Sequence, residues 1–457
     1  MGFDWRGMSR ARRTALAAIG AVLVGACAAV GTTVTSKEWQ SRASVESQGL
    51  LRVVDGKTIQ QRYPYGGFGT ESFHEWPTYA YGGPEYFPPK KGEMPKNIKG
   101  DPKKGHALIR ASAKGPCTGC HVIPDATVWP AGNVGPDLRA IGARGLPDEL
   151  LYQIVYDPRV IYGPDTPMAP FGASGMWTPE EIVHVVAYLQ SLKGNPPGQP
   201  EKVTDDPHWD PRTRPVVRPD YGDPLDITAN PALGFAQDIA VPLWSKAGPK
   251  GQSCAGCHGP IAAPDAQRPL GVIASMVGVG ARYPKWFAKY SRMMSVEDFL
   301  AVHAPETTGH AMPSQGDENL AMSILVRMQS NGMPYAIDLA DRNVQAAIKR
   351  GEASFYRRVG QRGQACAHCH TARGGGNKFL GGRFLADVEK DTMVNHPYWR
   401  TNWLRVIDIR IRMQWCLTPL RANMLAGDAP EYADLETFLV AKQTQRGDRV
   451  MVPRLAH

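Results

Sequence analysis

The chain has almost no cysteine to spare. Only eight of its 457 residues are cysteine, and six of them form three Cys-x-x-Cys pairs. Cys27 and Cys416 are left over, so no pair remains for a structural disulfide. No two Cys-x-x-Cys pairs lie within the roughly 15–20 residues of each other that a four-cysteine zinc site needs, which argues against structural zinc. No basic, aromatic-interleaved patch is read as a nucleic-acid surface, so the formal charge of +9 is no argument for nucleic-acid binding. With 48 glycines and 39 prolines, long uninterrupted helices or strands cannot dominate, and much loop is expected.

Each cysteine pair is followed at once by histidine: Cys117-Thr-Gly-Cys120-His121, Cys254-Ala-Gly-Cys257-His258 and Cys366-Ala-His-Cys369-His370. This spacing lets two thiols add to the vinyl groups of one haem while the adjacent histidine reaches its iron. Three copies predict three covalently bound haem c groups and electron transfer. Six haem propionates would bring the basic chain close to neutrality.

Arg6, Arg10, Arg12 and Arg13 precede Thr14–Val34, a run of 21 residues without charge. It reads as the apolar region of a signal or as one membrane span. Cys27 sits in a lipobox-like Val24-Gly-Ala-Cys27, so residues 1–34 are a lipoprotein signal or an uncleaved anchor. Either reading places the bulk of the chain outside the cytoplasmic membrane. Residues 35–95 are expected to be an irregular extension. Residues 96–194 form a first haem unit, 195–235 a Pro-rich linker, and 236–340 and 341–450 a second and a third unit.

The second and third units are internal repeats. Trp244–His258 aligns without gaps on Tyr356–His370, sharing Gly248/Gly360, Gly251/Gly363 and Gln252/Gln364. A helix is expected over Pro102–Ala113 before the first motif, and closing helices from Thr178, over Asn319–Met328 and over Tyr432–Leu439. Thr178-Pro-Glu-Glu181 is a capping-box signal. The fold class is therefore mainly α, with three class I cytochrome c-like domains in series and long loops.

The motif histidine supplies one axial ligand, and the other is sought at a common offset. Met168 follows His121 by 47 positions, His303 follows His258 by 45, and Cys416 follows His370 by 46. Met312 and His310 are rivals to His303. Methionine raises a haem potential and thiolate lowers it, so electrons should run from the third unit to the first. Arg400, Arg405, Arg410, Arg412 and Arg421 surround Cys416 in sequence. Arg412 and Cys416, four apart on a helix, would share a face. Such a cluster favours thiolate and attracts small oxyanions.

Residues Gly100–Leu192, with the first motif, Gly132-Asn-Val-Gly-Pro-Asp-Leu138, Met168 and Val185-Val-Ala-Tyr-Leu189, resemble SoxX, the small cytochrome subunit of a periplasmic thiosulfate-oxidising system. Residues from about 236 to 445 are similar to its partner SoxA. The shared motifs there are the Gly-Gln-x-Cys-Ala-x-Cys-His repeats, His396-Pro-Tyr398, Arg412-x-x-x-Cys416 and Glu431-Tyr-x-x-Leu-Glu436. The resemblance implies a fusion of the two subunits and an L-cysteine S-thiosulfotransferase. Thiosulfate would be joined oxidatively to a cysteine of a SoxYZ-like carrier, with two electrons passing to an external cytochrome c. It further implies Cys416 as the catalytic sulfur, able to carry an extra sulfur atom, and Arg412 as the substrate arginine. Histidine at 303 departs from the cysteine that two-haem SoxA proteins have there. A thiosulfate dehydrogenase forming tetrathionate and a pure electron-transfer cytochrome are the alternatives.

Overall fold

The computed structural model describes the backbone of residues 51–54 and 57–60, and residues 85–453 except 112–113, 126, 129, 195–222, 423–424 and 452. The expected signal or anchor over 1–34, with Cys27, lies outside the described residues, as does most of the linker. Among the described residues no helix is long and apolar enough to cross a membrane.

The architecture is mainly α, with short two-stranded antiparallel sheets. In the N-terminal extension Leu51–Val54 (β1) pairs with Lys57–Gln60 (β2), although no regular element was expected there. Further on, the extension straps the first unit: Arg159 Nη1 donates to the Phe87 carbonyl at 2.7 Å, and the Lys90 amide to Asp157 at 2.8 Å.

Three times the chain runs from a helix through a Cys-x-x-Cys-His turn to a closing helix. In the first stretch these helices are Pro102–Arg110 (α1) and Pro179–Ser191 (α4), with Asp148–Tyr156 (α2) and Arg159–Tyr162 (α3) between them. Helix α1 stops at Arg110, short of the expected Ala113, because Ala111 turns extended (ψ 107°). Thr178 and Glu181 make the expected reciprocal capping box on α4. In the second stretch Pro231–Ser245 (α5) leads to the turn Cys254–His258 (α6), then Val296–Thr307 (α7) and Asp317–Met328 (α8). The linker therefore ends five residues earlier than 235, since Asn230 caps α5 and anchors its own amide on the Pro453 carbonyl. The third stretch has Arg342–Tyr356 (α9), Cys366–His370 (α10), Ile409–Leu417 (α11) and Pro430–Arg446 (α12).

The first and last helices of a unit cross at very short range. A Cβ at Gly105 would lie 2.1 Å from the His184 carbonyl oxygen, and one at Gly351 2.1 Å from that of Asp434. In α5 the fully buried Ala236 and Ala240 supply small residues instead. The first unit has its own core around Ile109, Trp177 and Ile182. The second and third share a larger one, in which Trp244, Ile324, Phe355 and Phe438 are continuous, and the third adds a smaller cluster around Val359, Leu417 and Tyr432. The first unit thus has a core of its own, and the second and third share most of theirs.

Gly351→Ala tests this packing. Alanine should gain up to about 1 kcal/mol of helix propensity, yet the crossing should cost about 1–3 kcal/mol net of stability. Denaturant unfolding of the holoprotein reads the difference, with exposed Lys349→Ala as a near-neutral control.

Candidate functional site

The second and third units build their sites with the same parts. Lys285–Phe287 (β3) pairs with Arg292–Met294 (β4), and Tyr398–Arg400 (β7) with Arg405–Ile407 (β8). Each hairpin follows a cis proline bond and turns through a left-handed residue, Ser291 or Leu404. A capped helix then starts: Ser295 accepts from the Asp298 amide, and Asp408 from the Ile411 amide at 2.7 Å. All these pairs are 113 residues apart, and so are His303 and Cys416. The duplication visible before the motifs therefore extends through the ligand-bearing helices.

In the second unit His303, on α7, faces His258 with ring centroids 6.1 Å apart. Its rivals are occupied elsewhere. Met312 is buried in the core at 1% exposure, and His310 Nε2 lies 3.1 Å from the Lys246 carbonyl. In the other two units the motif histidines are oriented through Nδ1, which donates to Pro136 O (2.7 Å) from His121 and to Ala386 O (2.8 Å) from His370. That tautomer leaves Nε2 with its lone pair available to a metal. Burial pushes His370 down to about 4, keeping the ring neutral.

One cavity of 1660 Å³ is lined by Cys120, His121 and Met168 on one side and by Cys369, His370 and Cys416 on the other. It exceeds the roughly 300–1,000 Å³ of a single ligand pocket. None of Cys254, Cys257 or His258 lines it. The first and third units close over it directly: Phe379 and Asn133 exchange two hydrogen bonds, and the Gly381 amide donates to Gly119 O at 2.8 Å. The loop carrying Met168 is held from across the interface. Gln364 Nε2 donates to Pro167 O (2.6 Å), Gln361 Nε2 to Ser174 O (3.1 Å), and Arg358 to the Pro164 and Thr166 carbonyls.

At the third-unit end Arg412 Nη1 donates to Cys416 Sγ at 3.1 Å, on the shared helical face that their spacing predicts. Trp415 is ringed by guanidinium groups: Arg383 at 4.2 Å, Arg412 at 4.5 Å and Arg400 at 5.7 Å from the ring centre. Burial, then the neighbouring charges of Arg412 and Arg400, push the Arg383 pKa down. The sequence cluster is thus partly redrawn. Arg410, about 200° around α11 from Arg412, points inward to Glu436 (2.7 Å) and Asp298 (3.0 Å). Arg421 turns to Gln361 and Arg405 to the Val406 carbonyl. Arg383, 33 positions before Cys416, takes their place. Its strand Arg383–Leu385 (β6) pairs with Lys378–Leu380 (β5), and no local signal marks it.

Two family models match the chain side by side: cytochrome c over residues 103–193, and the SoxA/TsdA cytochrome c domain over 240–335. The L-cysteine S-thiosulfotransferase subunit SoxA of Pseudaminobacter salicylatoxidans is 29% identical over 222 residues, covering 48% of this chain and 71% of that protein. The same subunit of Rhodovulum sulfidophilum is 26% identical over 48% of this chain and 70% of its own. The chain is a relative of the SoxXA-type thiosulfate cytochromes. The crystal structure of SoxXA from P. pantotrophus overlaps 49% of this chain and 79% of its own at 22% identity, with a TM-score of 0.40. Cytochrome c domains carry covalently bound haem c, and the residues of this chain fit it. Paired thiols, oriented neutral imidazoles and an oversized apolar cavity are all present.

Two predictions follow from this geometry. Asp408 is buried, its Oδ2 finds no partner, and burial together with the Glu297 charge pushes its pKa up to about 7. An acid whose folded pKa is raised adds stability below its unfolded value near 3.8, and that stability is lost as pH rises through 7. Asp408→Asn, which keeps the cap, should flatten the pH dependence of stability between about 4 and 7. At most about 1.4 kcal/mol per pH unit should disappear, read from urea midpoints across that range. Gln364→Ala should leave overall stability nearly unchanged but speed amide exchange in residues 164–174 up to about tenfold, measured by hydrogen–deuterium exchange.

Proposed function

We propose that the chain is a periplasmic trihaem thiosulfotransferase, fusing a SoxX-like and a SoxA-like part. The observation that carries this reading is the 3.1 Å contact between Arg412 and Cys416 in a cavity that also reaches His121 and Met168. Cys117/Cys120, Cys254/Cys257 and Cys366/Cys369 would each hold one haem c. His121 with Met168, His258 with His303, and His370 with Cys416 would be the axial pairs. The haem groups supply one-electron redox chemistry, which two-electron joining of two sulfurs requires.

Arg412 presents a fixed guanidinium fork that matches a sulfonate, placing the outer sulfur of thiosulfate beside Cys416. Coupling that sulfur to a carrier cysteine forms one S–S bond. From the carrier thiol and the thiosulfate dianion it releases one proton and two electrons, giving an S-thiosulfonate on a SoxYZ-like partner. The shared cavity favours passage of the electrons from the third unit straight to the first and on to an external cytochrome c. The second unit sits outside this route. Tetrathionate formation from two thiosulfates uses the same donor set and differs only in needing no carrier.

Cys416→Ala and Arg412→Ala should each lower thiosulfate-dependent cytochrome c reduction at least about 100-fold, with haem content equal to that of the wild type. Activity within twofold of wild type in either variant would defeat the proposal. The carrier is assigned by mass spectrometry: its mass should rise by the thiosulfate adduct. Turnover with tetrathionate and no carrier would assign the dehydrogenase reaction instead.

A further inference from the structure

The internal duplication supplies a control for every residue of the third-unit site. At the 113-residue offset, Tyr283, Phe287 and Phe299 of the second unit correspond to His396, Arg400 and Arg412 of the third. In the second unit these three positions form an apolar stack against His303. Phe299 lies 4.7 Å from the His303 ring and Phe287 4.6 Å from Phe299, with Tyr283 6.2 Å from Phe299. In the third unit all three positions carry hydrogen-bond donors, on the same strand and helix scaffold, beside Cys416.

Two of these side chains are buried with at least one nitrogen left unbonded, although Arg400 also hydrogen-bonds Tyr398. His396 is 5% exposed, and neither ring nitrogen has a hydrogen-bond partner. Arg400 is 9% exposed, and its Nε has none. Both side chains line the cavity that holds Cys416 and Arg412. Buried nitrogens are nearly always bonded, and no carboxylate pairs with Arg400 among the described residues. A site that trades three aromatics for an imidazole and two guanidiniums, while leaving nitrogens open toward a cavity, is built to receive anionic oxygens.

We propose that His396 and Arg400 form, with Arg412, an anion subsite beside Cys416 that binds the oxygens of a sulfonate or of a haem propionate. This rests on the thiosulfate reading for the first source only. The tyrosine and phenylalanine of the sibling unit are the natural test residues, because the same scaffold already folds around them.

The experiment compares holoprotein carrying His396→Tyr or Arg400→Phe with wild type. It reads the thiosulfate KM and kcat, inhibition by sulfate as a non-reacting dianion, and the lowest haem midpoint potential. Equal haem content and unfolding midpoint establish that each variant is folded, and His396→Gln, which keeps a donor, is the rescue variant. A rise in KM of about tenfold or more with little change in kcat, weaker sulfate inhibition and partial rescue by Gln assigns the subsite to substrate. Unchanged KM with a potential shifted downward in Arg400→Phe assigns it to a propionate, whose charge the lost guanidinium no longer offsets. If thiosulfate fails as a substrate of wild type, the thiosulfotransferase reading falls, while sulfate binding and potential still report on the subsite. Folded variants with unaltered KM, sulfate inhibition and potential overturn the inference.

Discussion

Arg410 is 2% exposed and bridges Glu436 and Asp298, while Arg327 bridges Glu297 and the same Glu436. This buried network joins the helix that bears His303, the helix that bears Cys416 and the closing helix of the chain. Removing one partner would strand the others as uncompensated charges, a loss of about 3–5 kcal/mol in comparable pairs. Burial alone would raise Glu297, yet the charge and hydrogen bonds of Arg327 hold it at about 2. The network also has a directional consequence. With Arg410 drawn inward, the opposite face of α11 is turned to the cavity, and Arg412 and Cys416 lie on it.

The two duplicated units show how one scaffold serves two ends. Hairpin, left-handed turn, capped helix and ligand position are retained, and only the residues around the ligand differ. Aromatic stacking surrounds His303, whereas guanidinium groups and an imidazole surround Cys416. Apolar packing suits a site that exchanges no ligand. Clustered cations repel one another unless an anion is present, so they suit a site that fills and empties. The second unit does not reach the cavity, yet it supplies Asp298 and Glu297 to the network behind the helix that bears Cys416.

Contact between the first and third units does comparable work. The Met168 loop has little regular structure of its own, and its carbonyls are answered by Gln361, Gln364 and Arg358 from the loop before the third motif. The Met168 and Cys416 ends of the cavity are thereby tied by one set of hydrogen bonds. A single chain keeps both halves at high effective concentration, so a few hydrogen bonds suffice.

The sequence by itself determined the chemistry that must be contiguous. Two thioether bonds and one imidazole on a single haem demand Cys-x-x-Cys-His, and an i,i+4 helical face demands Arg412 and Cys416 in register. Offsets from the motifs also singled out His303, because duplication preserved the spacing. Tertiary structure alone decided what depends on distant segments meeting. It merged the second and third cores, brought the first cavity wall against the third and carried Arg383 to Trp415. It also turned Arg410 away from Cys416, because two residues along a helix means nearly opposite faces. Those choices follow from burial, ion pairing and cation–π contact between segments distant in sequence, and no local pattern encodes them.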